Sequence, residues 1–174
     1  MTFLYILLAL LAIVAVLAII GPKSYHVNRS MVINKPLPET FNFLKSLRNQ
    51  DFWSPWEKKD PNMKKEFTGV DGTPGFTSHW EGNKDVGVGE QEIKRIVENE
   101  RIESELRFIK PWKSVSDCYI KTEKVDANST RVTWGFSGNN KFPMTIMALF
   151  MSMDKMVGKD FEEGLKNLKS HLEK

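Results

Sequence analysis

Polar and apolar positions along the chain fall into three patterns. From Phe3 to Ile20, "FLYILLALLAIVAVLAII" runs eighteen residues without a charge or a break. As a helix it is about 27 Å long, close to the roughly 30 Å hydrocarbon thickness of a bilayer. Gly21-Pro22 stops it, and none of the 25 basic or 22 acidic residues precedes Lys23. Residues 1–22 therefore read as a membrane anchor, crossing through residues 3–20, and residues 23–174 as one domain.

The second pattern alternates. In "SYHVNRSMVIN" (24–34), Tyr25, Val27, Met31 and Ile33 share one side, which predicts a strand with one covered face. A short helix is expected next, because Pro38 and Glu39 suit a first turn and Phe41, Leu44 and Leu47 recur at helical spacing. From Lys64 to Gly138 six strands follow, separated by turns at "DGTPG", "NKD", Asn99-Glu100 and "DANS". Short loops between successive strands describe an antiparallel meander, with the first strand making about seven.

The third pattern is helical. Pro143 opens a run to His171 in which Ile146, Phe150, Met153, Val157, Phe161, Leu165, Leu168 and Leu172 form one stripe. The predicted class is α+β: a curved antiparallel sheet with a long C-terminal helix, preceded by one transmembrane helix. No internal repeat divides the domain.

A cleaved signal peptide is the rival reading of the N-terminus, since Val16-Leu17-Ala18 passes as a cleavage site. The lack of a basic n-region and the length of the apolar run favour an uncleaved anchor. Lys23, Arg29 and Lys35 follow the helix while no charged side chain precedes it, so the expected location is the cell membrane, single-pass, with the domain in the cytoplasm. A single cysteine, Cys118, forbids an internal disulfide. The net charge of +3 is spread among mixed signs and gives no nucleic-acid stripe.

Motifs for catalysis are sparse. "VGVGE" (86–90) leads to Glu92 where a dinucleotide fingerprint needs its third glycine, so it reads as strand and no cofactor is expected. His26, His79 and His171 are scattered without metal-ligand spacing, so no metal is expected either. Cys118 reads as a small buried hydrophobe, and Glu81, Glu90 and Glu92 read as surface residues by strand parity.

The aromatic positions are more informative. Parity turns Trp80, Phe108, Trp134 and Phe136 to one concave face, and the long helix brings Phe150 and Met153 towards it. Met147 and Met151 add flexible, polarizable surface. Gly158 and Gly164 inside the helix leave two options, close helix–sheet approach or space for a ligand. An ordinary packed core fits this pattern as well as a pocket does.

The chain also carries "WSPW" with "DPN" after the first helix, "WEGN…VGVGE", "TRVTWGFSG", and "MDKMVGKDFEEGLKNLK" near its end. In that order, across residues 24–172, they resemble the START-related (SRPBCC) superfamily, in particular its membrane-anchored polyketide cyclase/dehydrase-like proteins. The resemblance implies a helix-grip fold, with the sheet wrapped around the long helix and a hydrophobic cavity between them. It further implies binding of lipids, sterols, polyketides or similar molecules, with Trp53 and Trp56 capping the cavity mouth or plugging the end of the core. No catalytic residue carries over; Asp117 and Tyr119 are the nearest polar candidates. The expected function is membrane-tethered binding of a hydrophobic small molecule or lipid. A cyclase/dehydrase-like enzyme, or an interaction module resembling the Hsp90-ATPase activators, are the alternatives.

Overall fold

The computed structural model describes Met1–Lys174. In chain order the elements are α1 (Thr2–Ile20), β1 (Ser24–Ile33), α2 (Leu37–Lys45), a 3₁₀ turn (Arg48–Phe52), α3 (Pro55–Lys59) and β2 (Lys64–Thr68). They continue with β3 (Thr77–Glu81), β4 (Val88–Val97), β5 (Arg101–Lys110), β6 (Ser114–Lys124), β7 (Thr130–Asn139), α4 (Met144–Met147) and α5 (Met153–Leu172). The seven strands form one antiparallel sheet in the order β1-β7-β6-β5-β4-β3-β2. This is the expected α+β architecture, compatible with a helix grip.

The strands follow from period-two patterning. On β6, Ser116, Cys118, Ile120 and Thr122 are buried while Ser114, Val115 and Asp117 are exposed. α2 begins with Pro38 in its first turn, where the missing N–H costs nothing, and buries Phe41 and Leu44. Pro55 starts α3 in the same way.

α5 lies against the concave face with Phe161, Leu165 and Leu168 buried. Each such side chain contributes about 1.5–3 kcal/mol by leaving water. Gly164 sits where a Cβ would come 2.7 Å from the Trp134 ring, and beside Gly158 a Cβ would strike the Arg29 guanidinium. Both glycines therefore serve close approach. Arg29 of β1 uses that space to bond Asp154 at 2.8 Å and Glu162 at 2.7 Å, which ties the start of α5 to the sheet.

One expectation fails. The helical run from Pro143 is not continuous: it breaks at Ser152, whose extended backbone (φ −90°, ψ 124°) starts α5 afresh. Serine is a favoured residue at that position, and Asp154 in the first turn suits the helix dipole. The apolar stripe across the break concealed this signal.

α1 packs no residue into the domain and is long and apolar enough to cross a membrane. Its exit is held, however. Gly21 backs onto the Thr145 carbonyl, the Lys23 ammonium bonds the Ala18 carbonyl, and Asn140 donates to the carbonyls of Pro22 (3.0 Å) and Lys23 (2.8 Å).

Candidate ligand cavity

Between the concave face and α5 lies a cavity of about 250 Å³. Its walls arise from strand register. Lys65 pairs with Trp80, Trp80 with Gly89 and Gly89 with Phe108, so these positions share the inner face. Gly89 carries no side chain, and the Trp80 indole lies across it; a Cβ there would sit 2.6 Å from the ring. Trp80 meets Phe108 edge-on at 6.1 Å, Phe108 meets Phe136 at 6.5 Å, and Phe136 meets Phe161 at 6.4 Å. Trp134 stacks on Phe161 at 4.2 Å and 7°. An aromatic row thus runs from β3 to α5.

The two tryptophans of "WSPW" part company. Trp56, on α3, lies edge-on to Trp134 at 5.6 Å and lines the cavity. Trp53 is only 1% exposed and meets Trp134 at 4.8 Å on the core side, where Asn167 Nδ2 donates to its carbonyl at 3.2 Å. Of the two expectations for this pair, Trp53 follows the core-plugging one: it ends the 3₁₀ turn facing inward, while Pro55 redirects the chain and turns Trp56 to α5.

Met147, Phe150 and Met151 do not reach the cavity. They precede the break at Ser152 and lie exposed on α4 and the turn after it. Met153 packs half-buried against the core without lining the cavity. Trp80, Phe108, Trp134 and Phe136 stand on the wall.

Strand parity and register place polar groups that the sequence reading did not select. Gln91 shares an inward position with Ile93 on β4 and donates to the Cys118 sulfur at 3.6 Å. Lys65, opposite Trp80, bonds both Asp51 and Glu57, so one ammonium is shared by two carboxylates on the charged side of the wall. The Trp80 Nε1–H is buried without an acceptor, an unusual state for a buried donor. A polar residue at an inward strand position was the available signal for Gln91. For Lys65, only the register reveals it.

The remaining candidates lie elsewhere. Burial pushes the Cys118 thiol up to about 12, which leaves it a protonated wall residue. Glu90, Glu92 and Glu105 converge on Arg107 on the convex face, and hydrogen bonds from Arg107 and Lys94 hold Glu92 below the ordinary carboxylate range. Tyr119 also faces outward, 3.1 Å from His26 Nε2 with the Arg101 guanidinium 4.0 Å over its ring, and Asp117 shares that face. No three His, Cys, Asp or Glu side chains converge as metal ligands would.

No family model matches the chain, and no curated protein matches it in sequence. Solved structures do match in fold. A solution structure from Thermobifida fusca is 16% identical with a TM-score of 0.62, over 84% of this chain and 92% of that one. The Mll3558 protein from Rhizobium loti is 15% identical with a TM-score of 0.63, over 86% and 97%. The solution structure of the Aha1 dimer from Colwellia psychrerythraea is 16% identical with a TM-score of 0.57, over 85% and 96%. At such identities the likeness is one of fold alone.

Proposed function

We propose that this chain is a START-like (SRPBCC) protein that binds a hydrophobic small molecule or lipid while held at the membrane by α1. The observation that carries the reading is an aromatic-walled cavity, one wall residue of which, Trp80, holds a buried Nε1–H without an acceptor. A ligand that is mostly apolar with a single acceptor oxygen would satisfy that donor and fill the aromatic row. At about 250 Å³ the space lies just below the roughly 300–1,000 Å³ of drug-sized pockets, so one ring system or one short chain fits it better than a two-chain lipid. Lysines after α1 and none before it support a cytoplasmic domain.

A cyclase/dehydrase-like activity would need a free acid or base on the wall. Lys65 bonds both Asp51 and Glu57, Asp85 is an exposed turn residue at the rim, and Tyr25, its phenol pushed up by burial, bonds Ser116 at 2.7 Å outside the cavity. Binding without chemistry is the better-supported reading. An interaction module would instead rest on the likeness to the Aha1 dimer and on the Trp53–Trp134–Phe161 packing that fills the adjoining core.

Native mass spectrometry of the detergent-released full chain tests this, with a fluorescent hydrophobic probe as the second readout. A retained apolar adduct is expected. Trp80→Phe keeps an aromatic side chain but removes the donor and part of the ring area, so it should weaken binding at least about fivefold, the equivalent of about 1 kcal/mol for the hydrogen bond alone. A clean mass together with indifference to the probe would sink the reading and favour the interaction module.

A further inference from the structure

The register gathers one set of loops at the end of the sheet where β1 begins. Ser24 pairs with Asn139, Ser116 with Gly138 and Phe108 with Ser114, while Val88 and Glu81 close β4 and β3 at the same end. The β5–β6 hairpin tip with Trp112, the Asn83–Val86 turn and the segment following β7 therefore all lie at the end of the sheet from which α1 leaves. Only Gly21, Pro22 and Lys23 separate α1 from β1, a span of at most about 10 Å. The exit is further fixed by the Asn140 and Lys23 hydrogen bonds described above.

This end exposes large apolar side chains. Phe142, Met144, Met147, Leu149, Phe150 and Met151 are all solvent-facing, Phe150 at 78%, and Trp112 on the adjacent hairpin reaches 79%. Away from this end Val70 and Val125 on the turns, and Phe52 beside His171, are the exposed side chains of this kind. Charge is divided in the same sense. At the α1 end Lys23, Lys84, Lys110, Lys113 and Lys141 are exposed, against Asp60, Glu81 and Asp85. None of those five lysines forms an ion pair within the chain. The other end carries Asp71, Glu98, Glu100 and Asp126 against Lys35, Lys124 and Lys45, the last paired with Glu98.

We infer that residues 142–151 and the Trp112 hairpin form a docking surface for the lipid bilayer that α1 enters. The inference rests on α1 spanning that bilayer. Apolar residues next to the helix exit enter the headgroup–acyl boundary, Trp112 sits at the interface where tryptophan is favoured, and the ring of lysines meets anionic headgroups. The isolated exposed segment is thereby explained as continuous with the membrane-embedded surface of α1. One consequence concerns access. Trp80, Phe108 and Val86, all on the cavity wall, lie towards this same end, so one part of the cavity wall adjoins the docking surface.

The test uses the full chain in phosphatidylcholine/phosphatidylglycerol vesicles. In a Cys118→Ala background, one environment-sensitive label is placed by Phe150→Cys, Trp112→Cys, Ala12→Cys or Asn128→Cys. Lipids carrying a nitroxide near the headgroup should quench the first two labels about twofold and leave the Asn128→Cys label, on the far β6–β7 turn, unaffected. Deep nitroxides should quench the Ala12→Cys label. In the unlabelled chain, emission that disappears with Trp112→Phe should be quenched by shallow brominated lipid. If only the Ala12→Cys label is quenched, the domain stands off the bilayer and the docking surface is refuted while the anchor stands. If the Phe150→Cys and Trp112→Cys labels escape lipid yet are shielded from aqueous iodide, a second protein copy covers the surface and the inference is overturned. If the Ala12→Cys label also escapes lipid, the anchor reading fails and the docking surface fails with it.

Discussion

Phe150 and Phe161 belong to one apolar stripe in the sequence, yet they end in opposite environments. Phe161 is 4% exposed and stacked on Trp134, while Phe150 is 78% exposed beside the foot of α1. The residues differ little; the backbone between them differs a great deal. Ser152 interrupts the helix, so Phe161 keeps the phase that faces the sheet and Phe150 loses it. Apolar periodicity marks a surface to be covered without saying what covers it. For Phe161 the cover is the sheet, and for Phe150 we assign the bilayer.

The largest effect that separates the two regions is chemical accessibility. With its thiol at about 12, Cys118 on the cavity wall should react with a disulfide reagent at pH 8 about a thousandfold more slowly than an exposed cysteine introduced by Phe150→Cys. Because the thiol is shifted upward, the rate should go on rising about tenfold per pH unit beyond pH 9, where an exposed cysteine has levelled off. Fast reaction at pH 8 would mean that water enters the cavity freely.

Stability should divide the same way. Phe161→Ala removes the stack on Trp134 and is expected to cost about 3–5 kcal/mol in urea unfolding. Phe150→Ala should stay within about 0.5 kcal/mol in detergent solution. Comparable losses for both would break the distinction. A smaller effect is expected for Gly164→Ala, whose added methyl meets Trp134 at 2.7 Å and Pro55 at 3.2 Å, at a cost of about 1–3 kcal/mol.

The smallest effect concerns the junction between the two regions. Hydrogen bonds from Arg29 hold the Asp154 carboxyl below its ordinary value of 3.8. The pair's contribution is therefore fully present above pH 3.8 and is lost as the pH falls through the lower folded value. Amide exchange in the first turn of α5 should accelerate over that acid range, and Asp154→Asn should remove this pH dependence. An unchanged profile in the variant would show that Arg29 does not hold the start of α5.

Much of the fold was legible because its signals are local. Alternation in "SYHVNRSMVIN" and "TRVTWGFSG", the turns between them and the apolar run of α1 each lie within fewer than twenty consecutive residues. They determined seven strands, their meander, the terminal helices and the inward side of Trp80, Phe108, Trp134 and Phe136. The cavity was only half legible. Trp53 and Trp56 look alike in "FWSPWEKK", and their separation into core and cavity wall depends on the 3₁₀ turn and on α5 arriving from residues more than 90 positions later. Likewise Lys65 stands opposite Trp80 through strand register, and Arg29 meets Asp154 across 125 residues. Sequence by itself set the period and polarity of each element, because those are properties of neighbouring residues. Only the tertiary structure decided which apolar face met a sheet and which stayed beside α1, because that choice depends on the relative placement of distant elements.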